Sequence, residues 1–110
     1  MFRQAFLCEE MNGLYWTENY EVWRWSEANV YASLTRQGDA LVCHFSADRK
    51  ALRHLRRAIH EFCNIVPKMM PWCKMFIGCI QRDSVARLMI DCGFWHVVNR
   101  KDVKIYARYV

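Results

Sequence analysis

Two side chains in the middle of this 110-residue chain could carry a reaction at neutral pH. His44 follows the strand formers Ala40-Leu41-Val42-Cys43, and an imidazole of ordinary pKa can take a proton from an amine-bearing group. A purely structural histidine is the commoner use of such a position. Cys79, near the end of the apolar run Cys73 to Ile80, could be acylated as a nucleophile. Its thiol would need a neighbouring base or cation to ionise, so a core thiol is the simpler reading. Metal chemistry is not expected: there is no C-x-x-C, the nearest cysteines are Cys73 and Cys79, and His44, His54, His60 and His96 stand in no ligand spacing.

Two other groups point to binding. Arg49, Lys50, Arg53, Arg56 and Arg57 are clustered, and the formal charge of +5 gives a surface attractive to polyanions. A solvated helix face explains the same cluster. Nucleic acid is not the expected partner, because the aromatic residues lie elsewhere instead of alternating with the charges as single-strand binders have them. Those aromatics, Tyr15, Trp16, Tyr20, Trp23 and Trp25, either complete the core or form an interface. Large rings at partly exposed positions suit a protein partner or a second copy of the chain, with Arg53, Arg56 and Arg57 alongside, and they could equally line a substrate cleft.

The elements that must position these residues are readable from about Asn29 onward. Val30 to Thr35 and Ala40 to Phe45 are rich in strand formers around the turn Gln37-Gly38-Asp39, which predicts a hairpin. Ser46 stands as a helix N-cap, and Leu52, Leu55, Ala58, Ile59, Phe62, Cys63 and Val66 recur at spacings of three and four. A helix over about Ala47 to Ile65 follows, stopped by Pro67. Cys73 to Ile80 reads as a strand buried on both faces. Arg82-Asp83-Ser84 opens a shorter helix closed by Gly93, and Phe94 to Val98 with Val103 to Tyr109 makes a final hairpin. Residues 1 to 27 are the hardest to assign, with a short helix from Arg3 to Met11 as one option. A helix between two strands of one sheet makes a right-handed crossover, and ligands in such sheets bind beyond the strand ends near the helix N-terminus, here Phe45 to Lys50.

The order of elements, and the segment Arg82-Asp83-Ser84-Val85-Ala86-Arg87-Leu88-Met89-Ile90-Asp91-Cys92-Gly93-Phe94, resemble the GNAT acetyltransferases, whose N-x-x-A-x-x-L-Y-x-x-x-G-F pattern it meets at Leu88, Gly93 and Phe94. The resemblance covers roughly Val30 to Val110, with the N-terminal part shortened and divergent. It implies an α/β (α+β) fold with a mixed, mostly antiparallel sheet, one long helix and one short helix, in a single domain over residues 1 to 110. It also implies acetyl-CoA as acyl donor, an amine acceptor on a protein or small molecule, His44 as base, and cofactor contacts from Phe45, Ser46, Ala47, Arg49, Lys50 and Ala51. The family's pyrophosphate loop, R/Q-x-x-G-x-G/A, is Ser46 to Ala51 here and matches only at Ala51; its usual acid tyrosine is Met89, and its asparagine is Arg82. These changes leave two classes open, a divergent enzyme or a binding module that has kept the fold. Small members of this kind are familiar from tailed bacteriophages, where a host protein would be the partner.

No export signal, bilayer-spanning run or linker composition is expected, and the six scattered cysteines read as free thiols of a cytoplasmic protein, the host cytoplasm if the chain is phage-encoded.

Overall fold

The computed structural model describes residues 2–5 and 13–110. Strands β1 (Phe2–Gln4), β2 (Glu21–Trp25), β3 (Val30–Gln37) and β4 (Ala40–Ala47) come first. Helix α1 (Leu55–Met69), entered through a 3-10 turn at Leu52–His54, leads to β5 (Met75–Ile80). Helix α2 (Asp83–Asp91) then leads to the hairpin β6 (Trp95–Arg100) and β7 (Val103–Tyr109). The seven strands form one sheet in the order β1-β2-β3-β4-β5-β7-β6, in which only β4 and β5 are parallel.

The parallel pair creates the main irregularity of the sheet. β4 and β5 pair from Ala40↔Met75 only as far as Cys43↔Gly78. β4 nevertheless continues beside β3 to Val30↔Ala47, and β5 beside β7 to Ile80↔Lys104. Each strand therefore follows its outer neighbour, and the two part beyond Cys43 and Gly78.

Both helices cover one face. The three-and-four spacing buries Leu55, Ala58, Ile59, Phe62, Cys63 and Val66 of α1 against it. The Phe62 ring meets Phe2 and Phe45 edge-on at centroid distances of 5.4 and 5.2 Å, and Phe76 at 5.8 Å. Ala86 and Met89 of α2 complete this core. A Cβ at Gly78 would lie 2.5 Å from the Met89 methyl carbon, so β5 is bare where Met89 presses on it. Gly93 takes φ +88 after α2, as a helix-closing glycine should.

On the opposite face, residues 13–20 run across β3. Leu14 packs with Val22 and Tyr31, with Ala5 and Trp16 at the margin. Two strand hydroxyls hold the crossing: Ser33 Oγ donates to the Tyr15 carbonyl at 2.5 Å, and Thr35 Oγ1 to the Asn19 carbonyl at 3.3 Å. Elsewhere this face is more open.

Several expectations are corrected. Ser46 lies in β4, not at a helix cap, because pairing with β3 carries the strand to Ala47. The chain then turns through Asp48, and regular α-helix begins only at Leu55. Pro67 does not stop α1; the helix runs on to Met69, and Met70 N–H donates to Val66 O across the last turn. β5 is buried on one face only, with Phe76, Gly78 and Ile80 enclosed and Met75, Ile77 and Cys79 half-buried. Phe2–Gln4, partly within the optional Arg3 to Met11 helix, is a strand; residues 6–12 of that segment lie outside the described residues.

Candidate functional site

The parting of β4 from β5 opens a cavity of about 150 Å³ on the helix side, walled by His44 to Ala47 on one strand and by Cys79 to Arg82 on the other. Leu52, Leu55 and Val85 close it from the helices, while Gly13 and Tyr15 reach it from the opposite face. A broader groove of about 690 Å³ lies on that opposite face, between Tyr20 and Val42 and the β6–β7 turn at Arg100 and Lys101. Tyr15, His44, Cys79 and Gln81 line both spaces. The gap thus joins the two spaces as a passage through the sheet, with the His44 imidazole in their shared wall.

Strand alternation explains how His44 comes to stand there. Leu41 and Cys43 belong to the helix-side core, so Val42 and His44 project to the other face. There the His44 ring lies 4.7 Å from the Tyr15 ring and 5.6 Å from Tyr20, and the two tyrosines meet edge-on at 5.7 Å. Burial lowers the imidazole pKa from its ordinary value, so the neutral, proton-accepting form prevails at pH 7. Burial, and then the neighbouring Tyr15, push Tyr20 up, so its phenol stays protonated at neutral pH and is a weaker acid than an ordinary tyrosine. Burial raises Cys79 as well, which leaves a protonated thiol unsuited to nucleophilic attack.

The approach to α1 has different chemistry. Asp48 Oδ1 accepts from Ala51 N–H at 2.7 Å, and Asp48 Oδ2 accepts from Asn29 Nδ2 at 2.8 Å. Asn29 Oδ1 in turn accepts from Arg24 Nη2 at 2.7 Å. The Asn29 amide, followed by the Ala51 N–H, holds the Asp48 carboxyl below the usual carboxylate range. Tested against these residues, acetyl-CoA fits in part. A thin, uncharged arm suits the gap, whereas a diphosphate at the turn into α1 would meet a fixed carboxylate that already holds the N–H it needs.

The sequence-derived residues therefore separate. His44, Phe45, Ser46 and Ala47 line the cavity together. Arg49 and Lys50 are exposed outside its lining, and Ala51 is buried in the core. Tyr15, half exposed at 52%, and Tyr20 belong to the passage. Trp16 is partly buried in the Leu14 cluster, and Trp23 packs against the main core. Trp25 is fully buried, donates its indole N–H to Glu61 and lies under the Arg57 guanidinium, so no interface can use its ring. Arg53, Arg56 and Arg57 are exposed; Arg56 pairs with Asp91 at 2.9 Å and Arg57 with Glu27 at 3.0 Å. Gln81 was not singled out from the sequence, and it lies next to the Ile80 end of a strand whose divergence no local pattern announces. Met89 is fully buried and stands away from the cavity lining. Among the described residues no cluster of His, Cys, Asp or Glu could hold a metal, and no helix is long and apolar enough to cross a membrane.

No family model and no curated protein sequence matches the chain. Solved structures do. A chimera of the spermidine N-acetyltransferase SpeG from Vibrio cholerae and hSSAT superposes with a TM-score of 0.65 at 9% identity, over 84% of this chain and 70% of that one. A GNAT-family acetyltransferase from Bacillus anthracis gives 0.64 at 14% identity, over 83% and 66%. The Campylobacter jejuni N-acetyltransferase PseH, solved in complex with acetyl coenzyme A, gives 0.56 at 10% identity, over 84% and 70%. At such identities the likeness is one of architecture, and the chain has the fold of the GNAT acetyltransferases.

Proposed function

We propose that this chain is an acetyltransferase-related protein that transfers an acyl group from a thioester to an amine at the gap between β4 and β5. The observation that carries the reading is the passage through the sheet, with neutral His44 at its centre and a separate approach from each face. The thioester arm enters from the helix side and the amine from the back. As the amine nitrogen bonds to the acyl carbon and the carbon–sulfur bond breaks, His44 takes the amine proton, and the thiolate leaves into the helix-side cavity and takes a proton from solvent. The acceptor belongs to a protein partner, a host protein if the chain is phage-encoded, reached through the open back face around Tyr15 and Tyr20.

Thiol release from S-acetylpantetheine, measured against small polyamines and peptide N-termini, tests the reading. Turnover that is lost in His44→Gln supports it, whereas wild-type chain that releases no thiol with any amine and shows no shift of the His44 to Ala47 amide resonances on titration removes it. A second reading, a binding module without catalysis, is favoured by the Asp48 carboxylate at the α1 turn and by the enclosure of Met89. That second reading predicts the latter result.

A further inference from the structure

The turn into α1 is built around an acid. Asp48 Oδ1 takes the Ala51 N–H at 2.7 Å, while the Asp48 carbonyl accepts from Ala51 N at 3.1 Å and from Leu52 N at 3.2 Å. Asp48 N–H donates to Asn29 O at 3.2 Å, and the Asn29 side chain, itself gripped by Arg24, donates to the other carboxylate oxygen. The carboxylate is therefore fixed on both oxygens and its backbone is tied to the β2–β3 loop, so it cannot swing aside without breaking several bonds. Backbone N–H groups at such a turn are what a phosphate would use, and here they are given to the protein's own atoms.

We infer that Asp48 is a resident anion that bars a diphosphate from the turn into α1, and that the acyl donor is a thioester with no diphosphate at that place. This inference rests on the reading of the β4–β5 gap as a thioester site. The donor class is then a pantetheine-like thioester, free or carried, whose recognition lies in the gap between His44 and Gln81 and not at the helix entrance.

Calorimetric titration of the full chain with acetyl-CoA, S-acetylpantetheine and inorganic pyrophosphate tests it, with thermal melts as the control for folding. The wild-type chain should bind S-acetylpantetheine at least as tightly as acetyl-CoA and should not bind pyrophosphate. Asp48→Gly, which removes the carboxylate from the Ala51 N–H and leaves only the main-chain bonds of the turn, should gain tenfold or more for acetyl-CoA and pyrophosphate with S-acetylpantetheine unchanged. Asp48→Asn, which removes the charge and keeps an acceptor for Ala51 N–H, should gain less and covers the case in which the glycine variant does not fold. Wild-type affinity tenfold higher for acetyl-CoA than for S-acetylpantetheine overturns the inference, as does a folded variant with no gain for either phosphate ligand. If neither thioester binds any form but the variants gain pyrophosphate, the exclusion by Asp48 stands and the thioester reading falls.

Discussion

The two faces of the sheet are made from the same strands and are used differently. The helix face is a continuous core in which Phe62 alone meets three other phenylalanine rings. The back face is covered mainly by residues 13–20, leaving Tyr15, Tyr20 and His44 around a groove. The main packed core lies on the first face and the groove lined by titratable side chains on the second, and the parting of β4 and β5 is the place where one opens into the other. Substitutions on the two faces should therefore have different consequences.

The largest effect is expected from Phe62→Ala, which empties the centre of the core and should cost about 3–5 kcal/mol in urea unfolding, since a buried aromatic truncation loses both transfer energy and packing. A loss under about 1 kcal/mol would show that the helix face is not the main source of stability. His44→Gln should leave the urea midpoint nearly unchanged and lower acyl-transfer turnover by about 10²-fold or more, the usual contribution of a positioned base. Equal turnover in the two proteins would remove His44 from the chemistry. Ser33→Ala deletes the donor to the Tyr15 carbonyl and should cost about 1 kcal/mol. It should also raise amide exchange in residues 14–20 while exchange in α1 stays as it was.

The smallest effect is a pH dependence. Burial puts the folded His44 pKa below 6.5, so the unfolded chain binds more protons than the folded chain in the window between the two values. Stability should fall as pH drops through 6.5 toward the folded value, and the His44→Gln variant should lack that component. Coincident stability profiles for the two proteins between pH 7 and 5 would place the imidazole in open solvent.

Much of the helix face was legible in the sequence because its signals are local. The turn at Gln37-Gly38-Asp39 and the glycine after α2 act within a few residues and lie where the pattern predicts, and the apolar spacing marks the buried face of α1 although the helix runs from Leu55 to Met69. The site was legible only in part, because its defining relations are long in sequence. Ser46 has the residue type of a cap, yet the register Val30↔Ala47 keeps it in a strand, and it is Asp48 that accepts the Ala51 N–H of the turn that follows. One of the bonds that fix Asp48 comes from Asn29, at the other end in sequence of the whole β3–β4 hairpin. The aromatic segment looked uniform by composition and was divided by geometry: Trp23 and Trp25 alternate onto the helix face of β2, while Tyr15 and Tyr20 lie off the strand beside His44. The crossover alone pointed to Phe45 to Lys50, since any ligand of such a sheet sits beyond the strand ends; Phe45, Ser46 and Ala47 line the cavity, and Arg49 and Lys50 do not.

The fit of Met89 against bare Gly78 limits how this protein can change. A phenol introduced by Met89→Tyr would enter space that is already full, on the wrong side of β5 from the His44 ring, and a side chain at position 78 requires the flexible end of Met89 to move aside. The protein therefore gains no proton donor for the groove from position 89. If it is to supply a proton, it is left with what the back face already offers.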